Sequence, residues 1–149
     1  MFENDLIVEH AGGTFVSPKR FLRPKVEAEI SFRLGKDLEP RGGTQRITRA
    51  EVIQSIQSAI PSIEIIDSRF SKDVPLFSSI ADNANQGALV ISKSETEISK
   101  LQLDNIKVKL MIDNAVIGNG ISSEVLGDPV ESLLWLVNAL SARDIPLKR

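Results

Sequence analysis

From Lys25 to Phe32 the chain alternates strictly: Val26, Ala28, Ile30 and Phe32 are apolar, Glu27, Glu29 and Ser31 polar, and Leu34 continues the apolar series. A side-chain period of two is that of a half-buried β-strand. Pro24 opens the run and Gly35 ends it, and a proline at the start suits an edge or first strand. On such a strand Glu27 and Glu29 share one face, with Cα atoms roughly 6.5–7 Å apart. Carboxylates so placed either converge on one hard cation or point at water, the ordinary condition of charged residues.

The rest of the chain arranges itself around that strand. Residues 1–22 read as a loop-rich entry, with a short strand at Leu6-Ile7-Val8, a turn at Ala11-Gly12-Gly13 and Pro18 blocking a long helix. Residues 36–47 are a polar loop. Thr48-Arg49-Ala50-Glu51 matches a capping box, and Val52, Ile53, Ile56 and Ile60 follow at helical spacing, predicting a helix over 49–60 stopped by Pro61. Ile63-Glu64-Ile65-Ile66 predicts a short strand. Residues 70–86 read as irregular, Gly87–Ile91 as a buried strand, and residues 92–100 as a solvated connection. Residues 103–112 alternate again. Asp113-Asn114 then marks a hairpin into Ala115-Val116-Ile117, because both residue types tolerate positive φ. Gly118 and Gly120 form an isolated Gly-x-Gly without a third glycine or an opening helix, so phosphate binding is not expected there. Asp128-Pro129-Val130-Glu131 signals a second helix start, running to about Ala142 with Trp135 near the edge of its apolar face.

Composition narrows the chemistry. At 149 residues, 42% apolar and 26% charged, one globular domain is expected. A net charge of −2 supplies no basic patch for nucleic acid. No apolar run approaches the roughly 18 residues of a membrane span, and no signal peptide is evident. The absence of cysteine removes disulfides, thiolate nucleophiles and Cys-ligated metals, and is compatible with a cytoplasmic location. A single histidine, His10, excludes sites that need two imidazoles from this chain and reads as a surface residue.

Three carboxylates stand out: Glu27 and Glu29 on one strand, and Glu64 embedded among isoleucines. A buried carboxylate is costly unless paired or metal-bound, so Glu64 lies on a solvated face or serves as a ligand. Three glutamates without His or Cys make an all-oxygen set, which favours Mg²⁺ or Mn²⁺ with waters or substrate completing the octahedron.

Taken in order, Lys25-Val26-Glu27-Ala28-Glu29-Ile30, Ser62-Ile63-Glu64-Ile65-Ile66-Asp67-Ser68-Arg69, Ala81-Asp82-Asn83 and Val125-Leu126-Gly127-Asp128-Pro129, with the helix that carries Trp135, resemble the 2-keto-4-pentenoate hydratases of aromatic-compound catabolism. These belong to the larger fumarylacetoacetate hydrolase family. The resemblance runs from about residue 14 to the end of the chain. It implies an α+β, mainly β fold of mixed, twisted sheets with two main helices, here incomplete. It implies a divalent cation, Mg²⁺ or Mn²⁺, held by Glu27, Glu29 and Glu64. It further implies metal-dependent hydration of a 2-hydroxy-2,4-dienoate to a 4-hydroxy-2-oxo acid, the small-molecule 2-oxo acid chelating the cation. Asp67, Ser68, Arg69, Asp82 and Asn83 match motif positions without assigned roles. For Arg69 and Asp82 a salt bridge or loop-bracing role is as good a reading as a functional one.

Full-length members of that family carry a large N-terminal portion, including a Gly-Arg-Lys-Ile-Gly-like segment, and continue past the last helix. Nothing like that segment is present here, so the chain is expected to be a middle piece: a shortened or split gene product, or an excised part. Exposed sheet edges and uncovered apolar surface are then expected, along with weak cation binding and little or no hydration by the chain alone. Relatives assemble as homo-oligomers, so either a homo-oligomer or a partner chain supplying the missing segments is expected. The rival readings are a non-catalytic remnant or interaction module, and a related 2-oxo-acid decarboxylase or C–C hydrolase.

Overall fold

A computed structural model describes residues 6–8, 13–70 and 74–149. The predicted surface position of His10 and the Ala11-Gly12 part of the expected turn lie outside those residues. The chain divides into two compact units, one drawn from Met1–Ser31 and Ile60–Ser94, the other from Phe32–Ala59 and Glu95–Arg149.

The first unit is built on a sheet. Its strands are β1 (Leu6–Val8), the leading part of β2 (Lys25–Leu34), the trailing part of β3 (Ile56–Ile66) and β4 (Gln86–Ile91), in the order β1-β4-β3-β2. β1 runs parallel to β4, and β3 antiparallel to it with Glu64 opposite Leu89. β2 therefore lies at an edge, as Pro24 suggested. Between β3 and β4 a short helix, α2 (Leu76–Ala81), occupies part of the stretch expected to be irregular. Leu76, Phe77 and Ile80 of that helix are exposed. A left-handed run, Asn83, Ala84 and Asn85 with φ of 56, 53 and 64°, returns the chain to β4.

The second unit holds α1 (Arg49–Ser55), the opening of β3, β5 (Thr96–Glu97), the hairpin of β6 (Lys107–Ile112) and β7 (Ala115–Ile121), and α3 (Pro129–Ser141). Val52, Val130 and Val137 are almost wholly buried at its centre, packed with Leu38, Ile47 and Ile56. Each such side chain contributes about 1.5–3 kcal/mol on burial. Both predicted helix starts are present: Thr48 and Glu51 form the capping box, and Asp128 Oδ1 accepts from Val130 N at 2.9 Å. Asp113 and Asn114 make the hairpin turn at φ of 49 and 63°. Asn138 clamps the loop before α1 to α3, its amide bonding both N–H and C=O of Ile47 at 3.0 Å. Trp135 is exposed. No helix among the described residues is long and apolar enough to cross a membrane.

Three expectations are corrected. The helix predicted over 49–60 ends at Ser55, and the chain passes directly into an eleven-residue strand that contains Pro61. The apolar spacing at 52, 53, 56 and 60 fits a helix, but the burial does not. Ile56, Ser58, Ile60 and Ser62 are buried while Gln57, Pro61 and Ile63 are exposed, a period of two broken only by the small, buried Ala59. The β-branched isoleucines favour that choice. Pro61 is tolerated because it falls between Ser58–Ala59, which pair with β5, and Ser62–Ile66, which pair with β4. The second correction is the helix count: three α-helices, not two, occur among the described residues. The connection over 92–100 is also more structured than a solvated loop, since Glu95 bonds Arg33 Nε at 2.8 Å and the Ser58 hydroxyl.

Gly87 marks a close backbone approach in the first unit. The β3–β4 register shifts at Ile65/Ile66, and a Cβ on Gly87 would meet Ile65 O at 2.9 Å and the Phe21 ring at 3.0 Å. Gly87→Ala is expected to cost about 1–3 kcal/mol in urea unfolding. Gly42→Ala, where nothing lies within 4 Å, is expected to change stability by no more than about 0.5 kcal/mol.

Candidate metal centre

Alternation along β2 puts Glu27, Glu29 and Ser31 on one face, and alternation along β3 does the same for Ser62 and Glu64. The two faces are pinned together by the Ser31 and Ser62 hydroxyls, 2.8 Å apart. At the other end of the pair, Arg23 Nη2 donates to Phe70 O at 2.5 Å. These contacts run in opposite senses along the two strands, so β2 and β3 are antiparallel. Glu29, two residues before Ser31, comes to lie beside Glu64, two residues after Ser62.

The three predicted ligands meet. One carboxylate oxygen from each of Glu27, Glu29 and Glu64 lies within 4.8 Å of the others. Glu64 is half-buried and the other two are more exposed. Partial burial, with Glu64 and then Glu27 beside it, pushes the Glu29 carboxyl above the ordinary carboxylate range. Partial burial and Glu27 do the same to Glu64. Hence the fold holds together groups that repel, at about 1 kcal/mol per pair near 4 Å in a water-like medium. No lysine or arginine is ion-paired to any of the three among the described residues. An all-oxygen set of this reach fits a hard divalent cation of the Mg²⁺ or Mn²⁺ kind, with coordination positions left for water or a ligand.

Asp67 fixes the frame of the site. It is buried, and its two carboxylate oxygens accept from Leu22 N at 2.9 Å and Arg23 N at 2.6 Å. The turn entering β2 is thereby tied to the end of β3. These two backbone bonds hold the Asp67 carboxyl below the usual carboxylate range. Arg69 braces the next loop: its guanidinium bonds Asp82 Oδ1 at 2.7 Å, Asp82 O at 2.8 Å and Gln86 O at 3.0 Å. The salt bridge and loop bracing expected of Arg69 and Asp82 are both present. The Asn83 amide bonds Gln86 Oε1, and the Ser68 hydroxyl accepts from Phe70 N at 3.4 Å. Sequence reading missed the Ser31–Ser62 pin, although each serine sits two residues from a glutamate on the same face.

No protein-family model matches the chain. Among curated proteins, 2-hydroxyhexa-2,4-dienoate hydratase of Comamonas testosteroni is 35% identical over 144 residues, covering 95% of this chain and 53% of that protein. 2-Keto-4-pentenoate hydratase 1 of Dechloromonas aromatica is 31% identical over 137 residues, covering 91% and 51%. Among solved structures, 4-oxalocrotonate decarboxylase from Pseudomonas putida G7, complexed with magnesium and adipate, superposes with a TM-score of 0.86 at 26% identity, over 98% of this chain and 53% of that one. The chain is thus homologous to the 2-keto-4-pentenoate hydratases, with a fold of the fumarylacetoacetate hydrolase-like kind. It spans about half the length of the relatives it matches.

Two outcomes follow from the charges. A carboxyl held low in the folded state adds stability above about pH 4, and that contribution is lost as pH falls through the folded value. Asp67→Asn should therefore lower the urea midpoint at neutral pH, with the gap to wild type closing in acid. Glu29 has the opposite sign: its raised value costs stability once it ionises. Without added metal, Glu29→Gln should raise the neutral-pH midpoint and have no effect below about pH 4.

Proposed function

We propose that this chain carries the divalent-cation site of a metal-dependent hydro-lyase, with Glu27, Glu29 and Glu64 as ligands and a 2-hydroxy-2,4-dienoate as substrate. The observation that carries the reading is the convergence of three unneutralised carboxylates from two strands on one point. Bound there, Mg²⁺ or Mn²⁺ supplies Lewis acidity toward the 2-oxo acid product skeleton, to which water has been added across a carbon–carbon double bond. The chain's own part is geometric. β2 and β3 set the three carboxylates, the Ser31–Ser62 pin keeps the strands in step, and Asp67 stops the β2 entry from drifting. Positions of this kind hold reacting atoms in one arrangement, where a small displacement is costly. Hydratases of this class, at 31–35% identity, support the hydration reading. A second reading, decarboxylation of a related 2-oxo acid, is favoured by the superposition on a decarboxylase solved with magnesium. Both use the same cation site, and their products separate them.

Mn²⁺ titration should raise the melting temperature of the chain, with about 2.7 kcal/mol of added stability when free Mn²⁺ is a hundredfold above its Kd. Glu64→Gln should remove that gain, and a chelator should reverse it. With 2-hydroxypenta-2,4-dienoate, loss of dienoate absorbance should require Mn²⁺ or Mg²⁺ and yield the 4-hydroxy-2-oxo acid. The rate should fall well below the roughly 10 s⁻¹ typical of enzymes, because the chain spans about half of its relatives. Carbon dioxide release from an oxalocrotonate-type acid would favour the second reading. Failure of Mn²⁺ to bind would overturn both.

A further inference from the structure

In the second unit a groove of about 1050 Å³ runs along α3, from Leu126 just before the helix to Ala142 just after it. Its other wall is the loop before α1, which runs against the helix direction. Arg41 N donates to Ser141 Oγ at 2.8 Å, Asn138 clamps Ile47, and Arg49 pairs with Asp128 and Glu131. The helix has 13 residues and is about 20 Å long. Val130 and Val137 are buried, and Leu133 and Leu134 pack beside them, so the core is filled without Trp135. That residue, the only tryptophan, stands at the middle of α3 on the lip of the groove and is 70% exposed. One and two turns further on, Ala139 and Ala142 line the same groove with small side chains. A large apolar knob thus adjoins a shallow hole. The two ends of the groove also differ in charge. Asp128 and Glu131 lie at the start of the helix, shared with Arg49. Towards its end lie Arg46, Arg143 and Asp144, and neither of these arginines makes an ion pair among the described residues.

We propose that two copies of the chain meet on this face, their α3 helices antiparallel about a two-fold axis, with Trp135 of each seated in the groove of the other. The proposal is independent of the cation site. A two-fold contact requires a surface complementary to itself, and here one patch carries both knob and hole. Residues 131, 135, 139 and 143 follow one another at helical spacing, so they share a side of α3 or its continuation. An axis between Trp135 and Ala139 sets Trp135 of each copy against Ala139 of the other. The same axis brings Glu131 towards the other copy's Arg143, and does so twice. A parallel arrangement would set like charges together and align the two helix dipoles. Tryptophan and arginine are also the residue types that most often anchor protein interfaces. A face one helix long is smaller than the roughly 800 Å² per partner of a stable complex. Arg49 already holds the acidic end, which weakens the charge contacts further. The dimer is therefore a weak one, with a Kd on the order of 10–100 µM.

Analytical ultracentrifugation of the metal-free chain tests this across the micromolar range. Wild type should pass from monomer to dimer as concentration rises. Tryptophan emission should shift to the blue over the same range, since Trp135 is the only tryptophan and leaves water on association. Trp135→Ser should raise the dissociation constant about tenfold or more, and circular dichroism should give it the urea midpoint of wild type in dilute solution. Ala139→Arg, which fills the hole and keeps the tryptophan, should weaken the dimer as much and abolish the emission shift. Arg143→Glu should weaken it severalfold, and added salt should narrow the difference between that variant and wild type. A chain that stays monomeric throughout, as it would if the groove received a different protein or another segment of chain, would overturn the proposal. So would a dimer that survives both Trp135→Ser and Ala139→Arg, because the copies would then meet on another face.

Discussion

Pairing of β2 with β3 forces three like charges into one place, and much of the first unit is arranged to withstand it. Nothing in the local sequence of either strand brings Glu29 beside Glu64; only the antiparallel pairing does. The devices that hold the pairing are uncharged or remote from the carboxylates. Two serine hydroxyls bond across the strands, Asp67 spends both oxygens on backbone N–H groups, and Arg69 is committed to the loop around Asp82. A cationic side chain placed among the glutamates would have neutralised them at lower cost and closed the site to an ion. Its absence from the described ion pairs keeps the carboxylates available.

The parts of this arrangement that repeat locally were legible in the sequence. Alternation from Val26 to Phe32 identified β2 and the shared face of Glu27 and Glu29. The capping residues Thr48, Glu51 and Asp128, and the Asp113-Asn114 turn, act through their immediate neighbours and were read correctly. The region from Val52 to Ile60 was not, because 52, 53, 56 and 60 satisfy a helical period while 56, 58, 60 and 62 satisfy a strand period. Tertiary burial decided between them at Ser55. The cross-strand pin and the double acceptor role of Asp67 depend on partners 31 and about 45 residues distant. No local pattern could supply those partners. The residues alone left the three glutamates either solvated or joined at one cation, and the resemblance favoured the second; their oxygens lie within 4.8 Å of one another.

Curated hydratases and a solved decarboxylase both match this stretch of chain. What the matched stretch contributes, on the structure, is three carboxylates gathered from two adjacent strands. Under the proposed reading, a platform of this kind would orient one end of a ligand. Such a platform is neutral about which bond of the ligand breaks. Reaction type then depends on groups that face the ligand from elsewhere, so one architecture can carry several chemistries.

The direct passage of α1 into β3, without an intervening loop, gives the chain between Ser55 and Glu64 a fixed length. Side chains on a strand change face with every residue, so removing or adding a single residue between Ile56 and Ile63 turns Glu64 to the opposite side of the sheet. Composition, net charge and most of the apolar content would be unaltered by such a change. Descendants of this chain can exchange many side chains along β3, but an odd insertion or deletion there extinguishes the site in one step.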